Sequence, residues 1–105
     1  METEILEELK IELQNEPGFS EEILKLKIKN AIREVKQIRR YPKAYTETYI
    51  DSDLLNYYAI VKDVALYDYN MLGAEGEAGH SENGISRTYI DRNKLFSGVI
   101  PIAKL

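Results

Sequence analysis

The sequence predicts a mainly α fold: a small three- to four-helix bundle with a long Gly-rich loop or short hairpin and an extended C-terminal arm. Three observations carry this. Apolar residues recur at three- and four-residue steps through most of the first 72 positions. Pro17-Gly18 and Tyr41-Pro42 interrupt that pattern. Four of the six glycines, Gly73, Gly76, Gly79 and Gly84, gather behind its last stretch. At 105 residues the chain reads as a single domain, 1–105, with room for one modest core.

The first helix is expected over about 3–14, where Ile5, Leu6, Leu9 and Leu13 form one apolar stripe and Pro17 and Gly18 end the run. Ser20 reads as an N-cap for a second helix over 20–39. Glu21 and Glu22 suit the dipole of its first turn, and Ile23, Leu24, Ile28, Ala31, Ile32, Val35 and Ile38 supply its apolar face. Pro42 disfavours helix at Tyr41, so a loop carrying Tyr45 and Tyr49 follows.

A third helix is expected over 52–72 from an Asp51 or Ser52 cap. Leu54, Leu55, Tyr58, Val61, Ala65, Leu66, Tyr69 and Leu72 would be buried, and Gly73 would stop it. The loop 73–88 exceeds the usual two-to-six-residue connection, and its first dozen residues have no apolar anchor, so it is either disordered or held by something outside the subunit. Ile85, Thr88, Tyr89 and Ile90 suggest a short extended piece, and Asp91 can cap a brief turn from Arg92 to Phe96. The arm, 96–105, is apolar but contains Pro101, so extended backbone is expected; such an arm folds back on its own core or docks on a partner.

No apolar run approaches the roughly 18 residues of a membrane span, so no membrane role is expected. The first dozen residues are acidic and do not read as a signal peptide. Without cysteine, disulfides and thiolate metal sites are out of reach. The net charge of -4 conceals segregation. Eight glutamates face only Lys10 between Met1 and Glu22, whereas from Leu24 to Lys43 Lys25, Lys27, Lys29, Arg33, Lys36, Arg39, Arg40 and Lys43 face only Glu34. Helices pairing within the subunit, neighbouring subunits, or nucleic acid would each use this pattern. The acidic total and the few aromatics in the basic run favour the first two.

Catalytic signals are thin. His80 with Glu77, Ser81 and Glu82 lacks the rigid support that a nucleophile and base require. Glu75, Glu77, His80 and Glu82 match neither a calcium loop nor a zinc site, and no cofactor is called for. The GAEGEAG string follows a helix, carries two glutamates and has no lysine in the next turn, unlike a phosphate-cradling loop. Of the eight tyrosines, Tyr58 and Tyr69 share the third helix's apolar face and read as core. Tyr41, Tyr45 and Tyr49 are interface candidates.

The order of parts, with Gly73, Glu75, Gly76, Glu77, Ser81, Glu82, Gly84, Ile85, Ser86, Arg87 and Tyr89 behind an aromatic helix, resembles the small head-tail connector (adaptor, or DNA-packaging) proteins of long-tailed bacteriophages. The resemblance implies a non-enzymatic virion protein at the head-tail interface, assembled in the host cytoplasm. It further implies a homo-oligomeric ring, typically twelve-fold in the virion, between the portal protein and the stopper or tail-completion protein. DNA would pass through without sequence-specific recognition. Contacts to subunit or partner would fall to Glu75, Glu77, Ser81, Glu82, Ile85, Ser86, Arg87 and Tyr89, and portal docking to Phe96, Val99, Ile100, Pro101, Ile102 and Leu105. The alternative is a small nucleic-acid-binding regulatory protein using the basic second helix. A small phage enzyme or inhibitor has no pocket chemistry in its favour.

Overall fold

A computed structural model describes residues 1–71 and 92–102. These form four α-helices, α1 (Glu2–Leu13), α2 (Glu21–Arg39), α3 (Glu47–Leu54) and α4 (Tyr58–Asn70). A 3-10 turn (Leu55–Tyr57) joins α3 to α4, and a second spans Arg92–Phe96. Among the described residues there is no strand.

α1 buries the expected Ile5, Leu6, Leu9 and Leu13. The chain then reverses through Gly18, whose φ of +78° is a backbone conformation open to glycine without strain. Ser20 caps α2: its hydroxyl accepts from the Ile23 amide at 3.2 Å, while its own amide donates to the Tyr69 hydroxyl at 2.9 Å. The start of α2 is thereby tied to the end of α4. α2 buries Leu24, Ile28, Ala31 and Val35 against Val61, Val64 and Ala65 of α4, and the α2–α4 face forms the main body of the core. Ile23 lies at the surface; Ile32 and Ile38 are half-buried at the edges of that face.

The third helix departs from expectation. It begins at Glu47, because Thr46 holds extended backbone and its hydroxyl accepts from the Tyr49 amide at 3.1 Å, so the cap lies five or six residues before Asp51 and Ser52. The expected single helix is then divided by the Leu55–Tyr57 turn. A 3-10 segment winds three residues per turn, which advances the side chains by about 20° per residue relative to an α-helix, or about 60° over three residues. A uniform helical period therefore misplaces the buried face: Leu55 is 55% exposed, whereas Val64, outside the expected stripe, is fully buried. Tyr58 and Tyr69, expected in the core, are half-buried and pack against its edge.

After the second 3-10 turn, Phe96 and Val99 enter the same core as the helices, and the Val99 amide donates to the Phe96 carbonyl at 2.8 Å. The expected stop of α4 at Gly73, the loop 73–88, the extended piece at Ile85–Ile90 and the Asp91 cap lie outside the described residues.

Candidate assembly surface

The arm meets the body at Arg39, the last residue of α2. Arg39 Nε and Nη2 donate to the two carboxylate oxygens of Asp53 on α3 at 2.9 and 3.0 Å, a bidentate pair largely removed from water. Its Nη1 donates to the Ile100 carbonyl at 2.6 Å, and its own carbonyl accepts from the Ile102 amide at 2.9 Å. One residue thus ties the end of α2 to α3 and to the arm. Tyr41 completes the cluster by donating its hydroxyl to Asp53 Oδ2 at 2.6 Å, and the Arg39 guanidinium lies 5.8 Å from the Tyr41 ring and 5.3 Å from that of Tyr57.

The charges at this junction follow from its burial. Burial pushes the Tyr41 hydroxyl up to about 12, and its bond to the Asp53 anion adds to the shift. Burial also pushes the Asp53 carboxyl up, but the Tyr41 and Arg39 donors outweigh it and hold Asp53 below the usual carboxylate range. The anion is the stable form here.

A second junction centres on Arg92. Its Nε and Nη2 donate to both oxygens of Asp68 on α4 at 2.7 Å, while Nη1 and Nη2 donate to Glu34 on α2 at 3.0 and 2.6 Å. Hydrogen bonds to Asp68 and Glu34 raise the guanidinium pKa further, so it is charged throughout the working range. Glu34, the single acid in the basic run, therefore has a structural role, receiving the chain where it returns to the bundle.

Outside these junctions the segregated charges occupy different faces. Lys25, Lys29, Arg33 and Lys36 follow three- and four-residue steps and make one exposed stripe along α2, with Arg40 exposed just beyond its end. The exposed side of α1 carries Glu4, Glu7, Glu8 and Glu12. Pairing within the subunit uses only some of these groups: Lys62 of α4 sits 3.0 Å from Glu8 and 3.8 Å from Glu12, and Lys10 sits 3.3 Å from Glu21. Among the described residues no group of three or more histidines and carboxylates is placed to hold a metal ion, and no helix is long and apolar enough to cross a membrane.

Of the expected docking residues, Phe96 and Val99 are buried in the chain's own core, Ile102 is half-buried, and Ile100 and Pro101 face outward. Leu105 lies outside the described residues, as do Glu75, Glu77, Ser81, Glu82, Ile85, Ser86, Arg87 and Tyr89, and His80 with them. Of the three tyrosines expected in the loop, Tyr49 lies in the first turn of α3, where the Thr46 cap starts the helix early. Tyr45 meets Tyr49 edge-on at 4.6 Å between ring centroids and Tyr41 at a tilt at 6.3 Å, with Tyr49 the most open to solvent. The Arg39–Asp53–Tyr41 and Arg92–Glu34–Asp68 clusters have no signature in the sequence, because the hydrogen-bonded partners within them lie 12 to 58 positions apart.

Among the described residues the body is all helical, with a charged surface and an apolar arm tethered at Arg39. The family model described as phage gp6-like head-tail connector protein matches residues 3–98, and the chain belongs to that family. It is a structural component of the phage virion with a role in connecting head to tail. No curated protein and no solved structure matches the chain.

Proposed function

We propose that the protein forms a ring between the portal and the stopper or tail-completion proteins, extending the DNA channel as one connector-like domain over 1–105. Membership of the head-tail connector family is the observation that carries this reading. The arm supports it: Arg39 fixes its backbone while Ile100 and Pro101 face outward, a preformed element for docking on the portal. Leu105 and the residues Glu75, Glu77, Ser81, Glu82, Ile85, Ser86, Arg87 and Tyr89 would add contacts to neighbouring subunits or the next protein along the channel. Assembly would take place in the host cytoplasm, the ring would be about twelve-fold, in keeping with closed rotational symmetry, and DNA would pass without sequence-specific contacts.

Mass determination by light scattering, with negative-stain microscopy, of the protein alone and mixed with portal tests this. Rings and a portal complex are expected. Failure to form either under any condition would overturn the reading. The basic stripe on α2 favours one other function, nucleic-acid binding by phosphate contacts. Negligible affinity for duplex DNA at low salt would remove it.

A further inference from the structure

The side of α2 that faces the start of α1 and α3 is a continuous open groove. At one end a hollow of about 420 Å³ is lined by Leu6, Lys25, Leu26 and Ile28. At the other a hollow of about 630 Å³ is lined by Ile32, Lys36, Leu54 and Leu55. Lys29, Ile32, Arg33 and Lys36 line the stretch between them. The floor carries Leu6, Ile28, Ile32 and Leu54, and the rim is basic at Lys25, Lys29, Arg33 and Lys36 and acidic at Glu2, Glu22 and Asp51. Large apolar side chains stand exposed at both ends: Leu26 at 52% and Leu55 at 55%. From Lys25 to Lys36 the groove runs along about 16 Å of helix, about three turns.

The face that complements it belongs to α1. Ile11 is 73% exposed, the most open large apolar residue among those described, and Glu4, Glu7 and Glu8 are exposed on the same side of the helix. That side lies opposite the stripe that α1 buries in its own core, so within one chain it cannot reach the groove. Glu8 is shared with Lys62, but Glu7 has no ion-pair partner among the described residues.

We propose that the groove of α2 seats the outer face of α1 of a second copy of this chain, with Ile11 on the apolar floor and Glu4 and Glu7 against Lys29, Arg33 and Lys36. This contact rests on the ring reading above and gives it a specific interface. Because seat and occupant are different faces, the contact is head-to-tail and each copy retains one free seat and one free occupant, as ring growth requires. Glu2, Glu22 and Asp51 also line the groove and disfavour a bare phosphate chain along its length, so the acids of the second α1 are confined to the basic stretch of Lys29, Arg33 and Lys36 while Ile11 takes the apolar floor.

Two charge-reversed chains provide the test. Glu4→Lys with Glu7→Lys on one chain, and Lys29→Glu with Arg33→Glu and Lys36→Glu on another, are each expected to weaken self-association by about tenfold or more, with helicity retained. An equimolar mixture should regain assembly. As an independent readout, the chain has no cysteine. Ile11→Cys on one copy should therefore cross-link to Leu26→Cys or Leu55→Cys on another, in preference to Asp63→Cys on the exposed side of α4.

Wild-type association by both reversed chains, cross-linking to Asp63→Cys as strong as to the groove, or no cross-link even with portal present would each overturn the proposal. So would a groove reversal that abolishes duplex DNA binding but leaves self-association intact. Rings that persist in both reversed chains would refute this contact and leave the connector reading standing. Absence of rings and of portal binding in the wild-type chain would remove that reading itself.

Discussion

At the scale of single residues, Asp53 carries the largest expected effect. Its carboxylate accepts three hydrogen bonds from Arg39 and Tyr41 in a site largely closed to water, so Asp53→Ala leaves a part-buried guanidinium without its carboxylate. A loss of about 2–3 kcal/mol is expected in chemical denaturation. The same cluster gives stability a pH dependence at both extremes. Asp53 has a depressed folded pKa, so its contribution is present above the ordinary carboxylate range and is lost as pH falls through the folded value. Tyr41 is raised from 10.0 to about 12, so its contribution is intact below pH 10 and is lost as pH climbs toward 12. Denaturation midpoints of wild type and Tyr41→Phe across pH 9 to 12 should converge at the alkaline end; parallel curves would refute the assignment. Arg40 closes α2 in the left-handed region, with φ 56° and ψ 58°, a conformation that strains any residue with a Cβ. Arg40→Gly is expected to stabilise by about 0.5–1 kcal/mol, the relief of strain exceeding the added freedom of the unfolded chain, and thermal melting would show it.

At the scale of elements, the decisive feature is the division of the long helical stretch into α3 and α4. α3 buries one large residue, Leu54, and depends on its Thr46 cap and on the Asp53 link to α2. Thr46→Ala should therefore cost about 1 kcal/mol. Hydrogen exchange should show its main effect as faster exchange of the Tyr49 and Ile50 amides, with α4 unchanged. An equal loss of protection along α4 would mean that the two helices behave as one. α4 is held more broadly. Its buried face meets α2, the Tyr69 hydroxyl caps the Ser20 amide, and Arg92 fastens Asp68 to Glu34.

At the scale of the whole molecule, the arm divides into an anchored and an outward part. Val99 is buried beside the helices, whereas Ile100 is 64% exposed although its carbonyl is held by Arg39. Ile100→Asp should therefore change stability by no more than about 0.5 kcal/mol, while Val99→Ala should cost about 2 kcal/mol. If the arm docks on the portal, Ile100→Asp should abolish portal binding in a pull-down without altering the melting temperature. Undiminished binding by that variant would exclude Ile100 from the contact.

The sequence by itself determined the helical class, the first two helices, the buried stripe of α1 and the centre of that of α2, the Ser20 cap, the turn at Arg92 to Phe96 and the family resemblance. Local rules suffice there: apolar period, proline and glycine punctuation and capping chemistry all act over a few residues. It also exposed the opposite charges of α1 and α2. Only the tertiary structure decided the rest. The break after Leu54 shifts helical phase and so moves burial from Leu55 to Val64. Arg39 and Arg92 find carboxylates on other helices, and Phe96 and Val99 leave the apolar arm for the core. These outcomes depend on which surfaces meet across long separations in the chain, and neither periodicity nor composition encodes that meeting.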